Sequence, residues 1–140
     1  VVFGGSGSAT APRDKWPVVW DEYELWIKPA VSIRNGEPAL GKVLFTQVEP
    51  TLVLANVVGQ QFYRRQGDPE GRRYTSYDAL DRAFTDLASV LQGLQVSLHF
   101  PLIGSDRGGA HWPIVKAIME HRLAAFDLNL WLLPGVREPS

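Results

Sequence analysis

The sequence has no cysteine among its 140 residues, which excludes disulfides, thiolate metal clusters and thiol catalysis. It has almost no net charge either, because 14 Lys and Arg stand against 15 Asp and Glu for a formal −1. No global field therefore draws the chain to nucleic acid or to an acidic membrane, and any anion site has to be local. Four arginines gather in one polar stretch, Arg64, Arg65, Arg72 and Arg73 around Gly67-Asp68-Pro69, the pattern of a solvated loop. Long apolar runs are missing too. Stretches such as Thr51 to Val58 fall well short of the roughly 20 residues that span a bilayer. Val1 to Gly5 has no initiator methionine, no basic start and no extended apolar region, so no secretory signal is expected. These absences predict a cytoplasmic protein.

What is present is the rhythm of an α/β domain. Lys42 to Glu49 alternates like a strand with one wetter face, and Pro50 breaks it. Thr51 to Val58 is almost continuously apolar, as in a strand covered on both faces, with Asn56 its one strongly polar member. Ser76 to Leu91 predicts an amphipathic helix with Leu80, Phe84, Leu87, Ala88 and Leu91 inward, Thr75 as cap and Gly93 as stop. Val96 to Phe100 reads as a strand and Trp112 to Leu123 as a helix, with Ile114, Val115, Ile118, Arg122 and Leu123 on its inner face. Asp127 to Leu133 closes as a strand. Between Val18 and Lys28 the aromatic spacing predicts a further short helix. One domain is expected over 1–134, with 135–140 a tail.

Ligands of parallel α/β sheets sit at the carboxyl ends of the strands, where loops enter helix N-termini. The segment from Phe100 to Trp112 is such a loop. Gly104, Gly108 and Gly109 permit a tight backbone path, and the following helix offers its positive end to an anion. Ile103 and Ser105 belong to the same stretch. The opening Gly4-Gly5-Ser6-Gly7-Ser8 is a second glycine-rich segment, readable either as a flexible leader or as a ligand-approaching loop. Neither loop is a Walker loop or a dinucleotide fingerprint. Asp106 and His111 are the acid–base candidates nearby; His99, His111 and His121 lack metal-ligand spacing, so no metal is expected.

From Pro101-Leu102-Ile103-Gly104 through the glycines to Trp112, the chain resembles the macro domains that process ADP-ribose derivatives. The likeness is greatest to the branch of phage and bacterial ADP-ribose 1″-phosphate-processing proteins and terminal ADP-ribose glycohydrolases. Val2-Phe3-Gly4-Gly5-Ser6-Gly7-Ser8-Ala9 is similar to that family's first glycine loop, Leu54 to Gln60 to a central strand, and Tyr74 to Leu91 to its tyrosine-plus-helix segment. The resemblance implies a three-layer α/β/α fold with a mixed, largely parallel central sheet. It implies ADP-ribose or an ADP-ribosylated group as ligand, no cofactor, and a binding module with or without weak hydrolysis of ADP-ribose derivatives. Gly4, Gly5, Ser6, Gly7, Ser8, Ile103, Gly104, Ser105, Gly108 and Gly109 would then line the ligand, with Phe3 and Trp112 as candidates for an aromatic wall.

The chain also departs from that pattern. The family's asparagine upstream of the first loop, and its first strands, would fall before Val1. Pro12 stands where a helix is expected, and Asp106 replaces a glycine. Where the glycohydrolases carry a lysine and an aspartate, this chain has Gln60-Gln61 and Gly108. The alternative reading is a degenerate macro fold acting as a structural or protein-interaction domain in a larger, phage-type assembly. A virion-associated location would follow from it, and five tryptophans fit an interface.

Overall fold

Alternating and continuous apolar segments become strands β1 (Val2–Gly5), β2 (Val43–Glu49), β3 (Leu52–Val57), β4 (Ser97–Phe100) and β5 (Asp127–Leu130), and the amphipathic segments become helices α1 (Tyr77–Leu91) and α2 (Trp112–Arg122). The computed structural model describes residues 2–5, 17–18, 21, 40–59, 75–103 and 109–140; the helix expected from Val18 to Lys28 and the arginine-rich loop fall almost wholly outside them. The strands form one sheet in the order β2-β3-β1-β4-β5. β2 runs antiparallel to β3, and every other pairing is parallel. This is the mixed, largely parallel α/β sheet that the sequence predicts.

The first strand holds the centre. Val2, Phe3, Gly4 and Gly5 pair in register with Leu54, Ala55, Asn56 and Val57, so Gly4 and Gly5 are strand residues. Composition alone hides this, because two glycines read as a turn. A neighbour on each side compensates by supplying the ladder hydrogen bonds that a glycine-weakened strand needs.

Ala55 and Val57 of β3 join Leu80, Phe84, Leu87 and Leu91 of α1 and Trp112, Val115 and Met119 of α2 in one buried cluster, with Leu98 and Phe100 of β4. Each such Leu, Val or Phe contributes about 1.5–3 kcal/mol on leaving water. Successive strand residues face opposite sides of a sheet. The buried Thr46, Leu54 and Asn56 therefore lie on the other face, which is covered as well, as three layers require.

The helix ends refine the expected caps. Ser76, not Thr75, is the N-cap of α1, and its hydroxyl accepts from the Ala79 N–H at 3.1 Å; Thr75 is buried one residue earlier. In α2 the inner stripe is Trp112, Val115, Met119 and then Leu123, while Ile114 is 41 % exposed. With Trp112 and Val115 inward, a residue one step along the helix turns about 100° away from the core. β5 stops at Leu130 rather than Leu133. Its partner β4 ends at Phe100, whose carbonyl accepts from the Trp131 N–H at 2.9 Å, and a turn follows at Pro134.

Candidate functional site

Because β1, β3, β4 and β5 run parallel, their carboxyl ends at Gly5, Val57, Phe100 and Leu130 share one edge of the sheet. Both helices start from that edge. The Ser76 N–H donates to the Gly59 carbonyl at 2.7 Å, tying the start of α1 to the exit of β3. The His111 N–H donates to the Tyr77 hydroxyl at 2.9 Å. That bond joins the N-cap of α2 to the first residue of α1, so two positive helix ends meet beside the exits of the central strands. The first turn of α2 has no acidic residue, and Asp78 in the first turn of α1 is ion-paired with Arg82.

The expected site residues divide between this edge and segments outside the described residues. Gly4 and Gly5 end β1 there. Ser6, Gly7, Ser8, Gly104, Ser105, Asp106 and Gly108 lie outside the described residues. Ile103 is buried in the main cluster, and its N–H donates to the Pro101 carbonyl at 2.8 Å, so its side chain anchors the loop. Gly109 is exposed at φ 68°, a left-handed conformation that suits glycine. His111 is exposed and makes no capping bond through its side chain.

Trp112 belongs to the core instead of an aromatic wall. It is 2 % exposed, its ring tilts against Phe100 with centroids 6.4 Å apart, and its indole N–H donates to Glu138 Oε1 at 3.0 Å. Lys116 Nζ reaches the same oxygen at 2.7 Å. The Lys116 ammonium and then the Trp112 N–H hold the Glu138 carboxyl below its ordinary pKa. His99 is engaged on both ring nitrogens: Nδ1 accepts from the Trp131 indole at 2.9 Å, and Nε2 lies 2.8 Å from Ser97 Oγ. Among the described residues no cluster of His, Asp and Glu could hold a metal.

Asn56 was legible only as a polar interruption in an apolar strand. It is 3 % exposed, and its carboxamide nitrogen has no hydrogen-bond partner among the described residues. Leaving such a donor unpaired costs about 1–3 kcal/mol. It pairs in register with Gly4 of β1 and Leu44 of β2, one residue short of the carboxyl edge.

No family model matches the chain, and no curated protein matches it. Solved structures do. A protein of unknown function from Bacteroides thetaiotaomicron superposes with TM-score 0.79 at 24% identity, over 94% of this chain and 86% of that one. A macrodomain protein from Streptomyces coelicolor superposes with TM-score 0.71 at 22% identity, over 94% of this chain and 87% of that one. The fold is that of a macrodomain. Thermosipho africanus DarTG, in complex with ADP-ribose, carries the same arrangement, with TM-score 0.70 at 14% identity over 99% of this chain and 39% of that one.

The polar depression lined by Lys42, Asp81, Arg82, Asp86 and Arg122 has a different character from the carboxyl edge. Arg122 grips Asp81 through Nε at 2.6 Å and Nη2 at 3.1 Å, and the guanidinium lowers the Asp81 pKa chiefly through that hydrogen bond. The Asp81–Arg122 pair holds α1 to α2. No described helix is long and apolar enough to cross a membrane.

Proposed function

We propose that this macrodomain-type chain binds ADP-ribose, or an ADP-ribosylated group, at the carboxyl edge of its sheet. One observation carries the reading: the starts of α1 and α2 are hydrogen-bonded together beside the ends of β1 and β3. Each helix start presents about half a positive charge, which suits a diphosphate without any lysine or arginine. The ligand named with the DarTG protein supports ADP-ribose as the diphosphate concerned. Ser6, Gly7 and Ser8 after β1, and Gly104, Ser105, Gly108 and Gly109 after β4, are the backbone donors assigned to it, with Gly4 and Gly5 setting the approach. Hydrolysis of ADP-ribose derivatives, where it occurs, would fall to a water positioned by Asp106 or His111 and would be slow, because the lysine and aspartate of the glycohydrolases are replaced by Gln60-Gln61 and Gly108.

A second reading, a protein-interaction domain, is favoured by one feature. The stretch after edge strand β5 exposes Trp131, Leu133 and Val136, and exposed aromatic and aliphatic groups beside a sheet edge suit a partner chain.

Calorimetric titration with ADP-ribose separates the two. The wild type is expected to bind with a dissociation constant on the order of micromolar, equivalent to about 8 kcal/mol. Gly109→Glu, which adds a carboxylate at the start of α2, is expected to abolish the heat. Gly93→Glu places the same charge on another left-handed glycine, φ 81° with open space around it, and is expected to bind like wild type. No heat from folded wild-type protein would remove the ADP-ribose reading and leave the interaction domain.

A further inference from the structure

We infer that Asn56 is a ligand-reading donor of this fold, giving a hydrogen bond from its carboxamide nitrogen to an oxygen of the ribose–diphosphate part of the ligand. The inference rests on the ADP-ribose reading above and adds a residue that neither the glycine loops nor the helix starts supply.

Three observations converge on it. First, an amide side chain stands between Leu54 and Val58, its buried apolar neighbours along the same side of the chain, with the buried Thr46 of β2 opposite Leu54. An apolar residue of similar volume would fit that environment, so packing does not call for an amide there. Second, the carboxamide nitrogen is buried without a partner among the described residues, whereas buried polar groups in folded proteins are nearly always paired. Third, the placement matches the site. Asn56 faces away from the α1–α2 cluster that takes Ala55 and Val57. It lies beside Gly4, which has no side chain to fill the neighbouring position, and one residue from the ends of β1 and β3. A buried donor that only the ligand satisfies discriminates strongly, because an analogue lacking the acceptor leaves it unpaired. Oxygen acceptors are the chemistry concerned, and both the phosphates and the distal ribose of ADP-ribose carry them.

The test is a paired measurement on wild type, Asn56→Leu and Asn56→Ser: thermal melting of the free proteins, and calorimetric titration with ADP-ribose and with ADP. Leucine removes the unpaired donor from an apolar setting, so Asn56→Leu is expected to melt at or above the wild-type temperature while its affinity for ADP-ribose falls at least about tenfold. Asn56→Ser keeps a hydroxyl donor and is expected to retain part of the affinity. If ADP binding weakens equally in Asn56→Leu, the acceptor is the diphosphate. If only ADP-ribose weakens, it is the distal ribose. Wild-type affinity in the leucine variant would overturn the assignment, and so would a leucine variant that loses stability together with binding, since the amide would then be structural. Failure of wild type to bind ADP-ribose is a separate result, and it would remove the underlying reading along with this one.

Discussion

A methyl group placed on Gly59 would stand 2.5 Å from Leu80 Cδ2 and 3.1 Å from its Cγ. Leu80 is completely buried and cannot swing out to make room. The Gly59 carbonyl also accepts the Ser76 N–H at the start of α1, so relieving the clash by moving the backbone would strain the link between β3 and the helix. Gly59→Ala is therefore expected to cost about 1–3 kcal/mol, as overpacking of a tight core does. In a chain of this size that corresponds to a melting temperature lower by roughly 3–12 °C. Differential scanning calorimetry checks it, and an unchanged transition would mean that Leu80 can repack. In the sequence Gly59 simply follows the apolar run that ends at Val58. Its importance comes from a side chain 21 positions away, which no local pattern reveals. The N-cap lay one residue from its expected place for a related reason. Thr75 and Ser76 can both cap a helix, and the burial of Thr75 leaves the capping to Ser76.

Helices α1 and α2 lie side by side on one face of the sheet and are tied twice, by Tyr77 with His111 at their starts and by Asp81 with Arg122 further along. The second tie is pH-dependent, and its sign follows from the carboxylate. Arg122 lowers the Asp81 pKa in the folded protein, so the pair adds stability above the unfolded carboxylate value of about 3.9. That stability is lost as the pH falls through the lower folded value. Arg122→Gln is expected to lower the melting temperature by only about 1–3 °C at neutral pH, because both partners are more than a third exposed and water and salt screen them. The gap should close as the pH drops below the carboxylate range and shrink at high salt. Melting curves at several pH values check this; a gap that persists in acid would mean that Arg122 acts by packing. The elements themselves were largely legible. The spacing of Leu80, Phe84, Leu87 and Leu91 gave α1 and its inner face, and the apolar density of β3 gave a strand covered on both sides. The centre of the sheet was not legible, because β1 is four residues ending in two glycines and its strand character comes from β3 and β4. On α2 the spacing placed Val115 and Leu123 inward correctly, but Met119 packs inward while Ile114 and Arg122 turn outward.

For the whole molecule, the decisive long-range contact is the one from the C-terminal tail. Glu138 lies 26 residues beyond Trp112, yet its Oε1 accepts the indole N–H of that buried ring and the ammonium of Lys116 together. Trp112 is also the first residue of α2, so the tail braces the helix start to which the ligand is assigned. Glu138→Ala would leave a buried N–H without its acceptor and Lys116 without that anion. A melting temperature lower by about 3–8 °C is expected from the unpaired donor. Glu138→Gln keeps an oxygen for the indole and loses only the charge, so it should fall between alanine and wild type. The carboxyl is held below its ordinary pKa in the folded protein, chiefly by Lys116. Its contribution is accordingly full above the unfolded carboxylate range and fades as the pH falls through the folded value. Wild type and Glu138→Ala should therefore converge in acid. Measuring ADP-ribose affinity on the same variants then separates two roles. If the brace sets the geometry of the α2 start, alanine weakens binding by more than its stability loss accounts for, and glutamine restores most of it. If affinity is unchanged in the folded alanine variant, the tail stabilises the fold without reaching the site.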